Sequence, residues 1–129
     1  MARVLVVEDD QDIRTLLEVR LRAAGHRVVG AGSGEAALEI VAERGAPELV
    51  VLDVSMPGRS GLEVLAQMRT DPACAAMPAI FLSGRVQPED IAAGQALGAT
   101  YLTKPVVLSA LLTAIDRSLA ARVGAAGGW

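Results

Sequence analysis

Short apolar runs alternate along the chain with longer stretches in which apolar residues recur at helical spacing. These short runs predict five strands, and the continuous apolar runs at residues 4–7 and 49–52, rich in β-branched residues, are typical of strands buried on both faces. These predicted strands cover residues 4–7, 27–29, 49–52, 79–82 and 100–103. Each is followed by a stretch whose apolar residues lie three or four positions apart. The pattern therefore predicts five helices, the last over residues 108–121.

Residues that favour helix ends separate these elements. Gly25 stands where the first helix should end, and Ser33 and Ser60 stand where side chains cap helix N-termini. Pro88, followed by two acids, is typical of a first helical turn. Five consecutive strand–helix units predict a parallel sheet with right-handed crossovers and helices on both faces, so the fold class is α/β and doubly wound.

Composition narrows the class of protein. The 129 residues, 52% of them hydrophobic, fit one domain of ordinary size. Cys74 is the one cysteine, so no intramolecular disulfide can form, which is typical of a reducing cytoplasm. The net charge of −3 argues against electrostatic binding to nucleic acid or anionic lipid, and no apolar run approaches the roughly 18 residues of a membrane span. We therefore expect a cytoplasmic protein that binds neither membrane nor nucleic acid.

Polar and charged residues follow the predicted strands at the edge where open parallel sheets bind ligands. They are Glu8, Asp9 and Asp10 after the first strand, Asp53 after the third, Ser83 after the fourth and Lys104 after the fifth. Carboxylates about 4 Å apart repel by roughly 4 kcal/mol at an effective dielectric of 20, so such a cluster needs a cation. Oxygen ligands suit magnesium, and a lysine beside magnesium is typical of sites that hold phosphoryl oxygens. Asp53 is therefore a candidate metal ligand and a candidate nucleophile toward phosphorus.

A group of glycines follows the second predicted strand. Gly30, Gly32 and Gly34 do not form the dinucleotide-binding fingerprint, which would follow the first strand. We expect them to form a flexible loop.

Four short segments at the strand ends resemble a known family. They are Glu8-Asp9-Asp10, Leu52-Asp53-Val54-Ser55-Met56-Pro57-Gly58, Phe81-Leu82-Ser83-Gly84 and Tyr101-Leu102-Thr103-Lys104-Pro105. Together they resemble the receiver domain of two-component response regulators, over residues 2–121. The resemblance implies a flavodoxin-like sheet of five parallel strands in the order 2-1-3-4-5 with five helices. Residues 1–121 would form the receiver domain, and residues 122–129, rich in glycine and alanine, a flexible tail or linker.

The resemblance implies a phosphorylation site with a metal ion beside it. Asp53 would be the phosphoacceptor and a ligand of magnesium. Asp9 would ligate the ion directly, Glu8 would act mainly through water, and Ser55 would contribute its backbone carbonyl. Manganese would fit the same place, and no other cofactor is implied.

The resemblance also implies a conformational switch. Lys104 would pair with the phosphoryl group and Ser83 would be the switch hydroxyl, so that these two residues and Asp53 carry the chemistry. Tyr101 would turn inward on activation. The Lys104–Pro105 peptide bond is expected to be cis, since only proline makes that isomer accessible.

The function implied is signalling rather than enzymatic turnover, apart from self-phosphorylation and autodephosphorylation. A histidine kinase or phosphotransfer protein would donate the phosphoryl group, and the face made by helix 4, strand 5 and helix 5 would change shape. That face would regulate a partner protein or an attached output domain. The chain would be a monomer or a weak homodimer that forms on phosphorylation. It would act alone, or be a fragment cut at a linker from a larger regulator or hybrid kinase.

Two other classes of protein stay open. A pseudo-receiver binds partners without phosphorylation; its sign would be loss of Asp53, Lys104 or the acid pair, and all are present. The second class is an enzyme on a related sheet. A flavin-binding electron carrier would need a phosphate-cradling loop after the first strand, where this chain has acids. An aspartate-dependent phosphatase would usually have a second aspartate where Ser55 stands.

Two features depart from the family's usual pattern. Ala99 and Thr100 are the only residues between Gly98 and Tyr101, one fewer than many members have. Gly94 lies inside the predicted fourth helix, where it should cost about 1 kcal/mol relative to alanine. Both features fall on the expected output face, so they bear on whether Tyr101 switches there.

Overall fold

Strands and helices alternate along the whole described part of the chain. The computed structural model describes residues 2–84 and 88–120, apart from the side chain of Asp90. The strands are β1 (Arg3–Val7), β2 (Arg27–Ala31), β3 (Leu49–Asp53), β4 (Ala79–Ser83) and β5 (Ala99–Thr103). The helices are α1 (Gln11–Ala23), α2 (Gly34–Arg44), α3 (Gly61–Met68), α4 (Pro88–Ala96) and α5 (Leu108–Ala120). The expected tail, residues 122–129, lies outside the described residues.

The five strands form one parallel sheet in the order β2-β1-β3-β4-β5. This confirms the predicted α/β class and the flavodoxin-like strand order. The order reverses between β1 and β3, and ligands of such sheets bind outside the carboxyl ends of the strands near this point. Asp53, the last residue of β3, lies opposite Leu82, and Ser83, the last residue of β4, lies opposite Thr103.

Side chains alternate between the two faces of the sheet and build one hydrophobic core on each. In β1, Val4 and Val6 face the core under α1 and α5, whereas Leu5 and Val7 face the core under α2 and α3. Every residue of β1, β3 and β4 is buried, which explains why these strands are continuous apolar runs in the sequence. None of the described helices is long and apolar enough to cross a membrane.

The predicted caps begin and end the helices as expected. Ser33 accepts a hydrogen bond from the Ala36 N–H at the start of α2. Ser60 and Glu63 form a reciprocal capping box at the start of α3. Gly25 follows α1 with a φ of 96°, a conformation that glycine adopts without a steric penalty.

The expectation of a flexible glycine loop after β2 is wrong at two of its three positions. Pairing of β1 with β2 continues as far as Ala31, so Gly30 lies inside the strand. Its missing side chain leaves room for Arg14 and Glu18 of α1. Gly34 is the first residue of α2, and a β-carbon there would press on Val64 of α3. Tertiary packing, which local sequence does not reveal, therefore accounts for these glycines.

Candidate functional site

An ion-pair network joins three strand ends at the carboxyl edge of the sheet. The Lys104 ammonium donates hydrogen bonds to Asp53 Oδ2 at 2.8 Å and to Glu8 Oε1 at 3.1 Å. The Lys104 N–H donates to the Ser83 carbonyl at 2.8 Å, which extends the pairing of β4 and β5 by one residue. The Lys104–Pro105 peptide bond is cis, as expected. The backbone thus directs the lysine toward both carboxylates.

The Asp53 carboxylate is buried and held on both oxygens. Only 5% of the residue is exposed. Asp53 Oδ1 accepts a hydrogen bond from the Ser55 N–H at 3.1 Å, and Oδ2 accepts the one from Lys104. The next residue, Val54, donates its N–H to the Leu82 carbonyl, so the β3–β4 ladder continues past Asp53 and fixes its backbone. These hydrogen bonds hold the Asp53 carboxylate in one orientation.

Glu8 is buried with one oxygen that is not satisfied. Its Oε1 accepts from Lys104, but Oε2 has no hydrogen-bond partner among the described residues. Burial, together with the neighbouring Asp53, raises the pKa of Glu8 to about 7 against the opposing effect of Lys104. An unsatisfied buried carboxylate oxygen is costly, so this atom points to a ligand that the described residues do not supply.

Lys104 stays charged in this setting. Burial alone would lower the pKa of its ammonium, but the hydrogen bonds to Asp53 and Glu8 outweigh burial, and the pKa is raised. Within the described residues, this ammonium therefore pairs with two of the three neighbouring carboxylates, those of Glu8 and Asp53.

The carboxylates of Glu8, Asp9 and Asp53 fit a divalent cation. One oxygen from each lies within 4.8 Å of the others, and Asp9 is exposed, so water has access to the cluster. An octahedral magnesium ion with bonds of about 2.1 Å holds ligands roughly 3 to 4 Å apart and usually keeps several waters. The all-oxygen donor set and the unsatisfied Glu8 Oε2 agree with such an ion.

Ser83 and Tyr101 lie on β4 and β5, the two strands that follow β3 in the order of the sheet. Ser83 is buried at the end of β4, the strand between β3 and β5. Tyr101 of β5 is half-buried, and its ring centre lies 5.2 Å from that of Phe81 at an interplanar angle of 34°. Within the β4–β5 pairing, Tyr101 lies opposite Phe81. The switching roles of Ser83 and Tyr101, and the metal-ligand role of Ser55, stay predictions.

The acid Asp10, which follows Glu8 and Asp9, has a structural role. Its carboxylate caps α1 by accepting hydrogen bonds from the Asp12 and Ile13 N–H groups at 2.9 and 3.1 Å. The cap directs this third acid toward the helix, whereas Glu8 and Asp9 join Asp53.

Two residues that position the site were missed by reasoning from the sequence. Arg14 of α1 donates to the Glu8 carbonyl at 2.9 Å, and the Glu8 N–H donates to Ala31 of β2, so both backbone groups of Glu8 are fixed. Gly61 starts α3 against Asp53: a β-carbon there would lie 3.0 Å from the Asp53 carbonyl carbon and nearer still to its oxygen. The sequence signal for this close approach was Gly61 itself, a glycine directly after the Ser60 cap in the first turn of a helix.

Comparisons with known proteins agree with this geometry. The family model described as response regulator receiver domain matches residues 4–116. The transcriptional regulatory protein AfsQ1 of Streptomyces coelicolor is 43% identical over 122 residues, 91% of this chain and 52% of that protein. Protein PilH of Pseudomonas aeruginosa is 35% identical over 121 residues, 93% of this chain and 99% of that protein. A crystallised chemotaxis protein, CheY4 of Vibrio cholerae, superposes with a TM-score of 0.87 at 32% identity, covering 92% of this chain and 99% of the other.

The chain belongs to the response regulator receiver domain family. It is thus a member of a class of signalling modules of two-component systems. It spans 52%, 43% and 26% of the first three curated relatives that it matches, so those relatives carry further segments.

Proposed function

We propose that this domain accepts a phosphoryl group on Asp53 and converts it into a change of its α4–β5–α5 face. The observation that carries the proposal is the Lys104 ammonium, which bridges Asp53 and Glu8 at the carboxyl edge of the sheet. This arrangement supplies a fixed nucleophile, a cation for phosphoryl oxygens and an acid cluster for a metal ion.

In the proposed transfer, a carboxylate oxygen of Asp53 attacks phosphorus on a phosphohistidine of a kinase or phosphotransfer protein. The bond between phosphorus and the imidazole nitrogen breaks, and its electron pair stays on the imidazole. The Ser55 N–H holds Asp53 Oδ1 in place, and the Lys104 ammonium follows a phosphoryl oxygen as the negative charge moves outward. Magnesium or manganese held by Glu8, Asp9 and Asp53, with the Ser55 carbonyl, would offset the negative charge of the carboxylates and of the phosphoryl group.

The proposed response begins at Ser83 and Lys104. Once Lys104 pairs with the phosphoryl group, it no longer joins Asp53 to Glu8, and the Ser83 hydroxyl donates to another phosphoryl oxygen. Tyr101 then changes position beside α4, and the surface of α4, β5 and α5 changes with it. This surface would act on a downstream protein or an attached output domain in the cytoplasm, as a monomer or a weak phosphorylation-dependent dimer.

Intact-mass analysis after incubation with acetyl phosphate and magnesium tests the proposal. We expect the mass of one phosphoryl group to be added to the parent chain and to be absent in Asp53→Asn. Asp116→Asn, which changes an exposed carboxylate on α5, is the matched control and should be labelled like the parent. Equal labelling of Asp53→Asn would show that the acceptor is another residue. No labelling of any variant would favour the phosphorylation-independent interaction module instead.

A further inference from the structure

Gly94 leaves a gap in the inner face of α4 that the Tyr101 ring occupies. Gly94 is buried, whereas Ala92, Ala93 and Gln95 beside it are exposed. A β-carbon on residue 94 would lie 2.9 Å from both Cζ and the hydroxyl oxygen of Tyr101, and closer still to Cε2. Real β-carbons do not approach other atoms this closely, so an alanine would displace the ring.

The gap accounts for a residue that is otherwise unfavourable. Glycine is, after proline, the least favourable residue in the interior of a helix. Gly94 has an ordinary helical conformation, because its φ is not positive and backbone freedom is not what the position requires. The close approach of the Tyr101 ring is the feature that excludes a side chain.

The Tyr101 ring also packs against the hydrophobic core. Phe81 of β4 lies 5.2 Å from Tyr101 between ring centres. Phe81 in turn lies beside Gly61, where a β-carbon would be 3.2 Å from Phe81 Cε1 and 3.0 Å from the Asp53 carbonyl carbon. The Tyr101 ring thus contacts both α4 and Phe81, and Phe81 lies beside the glycine that packs on the backbone of the predicted phosphoacceptor.

We propose that Gly94 is a positioning residue for Tyr101: the gap at residue 94 holds the ring and ties its position to the packing of α4 on the sheet. The ring cannot stay where it lies if residue 94 carries a side chain. If the ring leaves, α4 loses the group that covers its buried glycine. For its role in signalling, the inference rests on the proposed function, in which Tyr101 moves when Asp53 is phosphorylated.

A double-mutant cycle on the unphosphorylated chain tests the contact by thermal unfolding. Alanine in place of glycine normally stabilises a helix interior, so Gly94→Ala should raise the Tm in a Tyr101→Ala background. With Tyr101 present, the displaced ring should reverse that gain or reduce it, so that the two Tm shifts differ by about 3 °C or more. Equal shifts in the two backgrounds would overturn the proposal.

Ala93→Gly is the matched control, because residue 93 is the exposed neighbour of Gly94 in the same helix. It should lower the Tm equally with and without the Tyr101 ring. The cycle then reports contact with the ring rather than the general stability of α4.

A second measurement follows the ring itself. Tyr101 is the one tyrosine of the chain, so ring-13C tyrosine gives NMR signals from this residue alone. In Gly94→Ala these signals should move toward those of solvent-exposed tyrosine, whereas in Ala93→Gly they should stay at the parent positions. Unmoved signals in Gly94→Ala would contradict the proposal. Both measurements use protein without a phosphoryl group, so failure of Asp53 labelling would overturn the proposed function and leave this contact standing.

Discussion

Lys104 Nζ lies 2.8 Å from Asp53 Oδ2, although Lys104 follows β5 and Asp53 ends β3, two strands that do not pair with each other. The strand between them, β4, ends at Ser83, so the ion pair spans the end of that strand. The same ammonium also reaches Glu8, the residue after β1. One lysine thus links three of the five strands of the sheet.

Removing this lysine should make the domain less stable and its response to magnesium larger. Lys104→Met leaves the Asp53 and Glu8 carboxylates facing each other, which should lower the free energy of unfolding by about 2 kcal/mol without divalent ions. The lysine occupies the carboxylates that a metal would use, so millimolar magnesium should raise the Tm of Lys104→Met more than that of the parent. Thermal melts with EDTA and with magnesium check this. Arg117→Met, at an exposed cation on α5, should behave like the parent. An unchanged response to magnesium in Lys104→Met would contradict the assigned metal site.

Much of this site follows from topology, and the sequence was informative for that reason. Glu8, Asp53 and Lys104 stand at strand ends, and parallel strands bring their carboxyl ends to one edge, so their convergence could be predicted without any side-chain geometry. The order of the strands could not be predicted from topology alone. Alternation of strands and helices predicts a parallel sheet, but the order 2-1-3-4-5 came from the family resemblance.

Close approaches between elements could not be predicted in this way. Gly94 was expected to weaken a helix and to bear on switching by Tyr101, but direct contact with the ring was not predicted. Gly30 was expected only to loosen a loop. Both glycines have side chains from other elements against them. Such contacts depend on the distance between packed elements, which hydrophobic spacing does not encode. The Arg14 hydrogen bond to the Glu8 carbonyl was missed for the same reason.

The buried Glu8 should give the metal-free domain a specific pH dependence. Its pKa in the folded protein is raised to about 7 from 4.5, so the folded state keeps a proton that the unfolded chain has lost between these values. The stability contributed by this proton is fully present below about 4.5 and is lost as the pH rises through about 7. In EDTA, the Tm should therefore fall between pH 5.5 and pH 8 by more in the parent than in Glu8→Gln. Glu43→Gln, at an exposed glutamate, is the control; an equal fall in Glu8→Gln would show that Glu8 does not titrate as proposed.

Alanine in place of Gly61 should destabilise the domain by displacing the backbone of Asp53. The β-carbon would meet the backbone of Asp53, which cannot rotate away as a side chain can, so α3 or the end of β3 must shift. Overpacking of this kind costs about 2 kcal/mol. Gly84→Ala is the matched control, because a β-carbon at residue 84 meets nothing within 4 Å. Urea unfolding should show the loss for Gly61→Ala and a change below about 0.5 kcal/mol for Gly84→Ala. Similar small changes in both would mean that the close approach at Gly61 is absent in solution.

Arg69 should be the main anchor of the C-terminal end of α4. Its guanidinium follows α3 and donates to the Leu97 carbonyl from Nε at 3.2 Å and from Nη2 at 2.9 Å. Nη1 donates to the Cys74 carbonyl at 2.7 Å and also to that of Met77. A lysine has no planar fork and cannot serve three carbonyls in this arrangement, so Arg69→Lys should cost about 2 kcal/mol.

Arg69→Lys should also destabilise α4 and β5 locally, beyond its effect on the stability of the whole domain. Hydrogen exchange of the backbone amides of α4 and β5 should accelerate in Arg69→Lys more than exchange in α1, because Leu97 joins α4 to β5 and loses its anchor. Arg22→Lys is a matched control, since Arg22 also donates to a backbone carbonyl, that of Val28 at 3.0 Å, but Nη2 alone makes that contact. It should destabilise by at most about 1 kcal/mol and leave exchange in α4 unchanged. Uniform acceleration across the domain in Arg69→Lys would mean that the arginine stabilises the fold as a whole and does not hold α4 in particular.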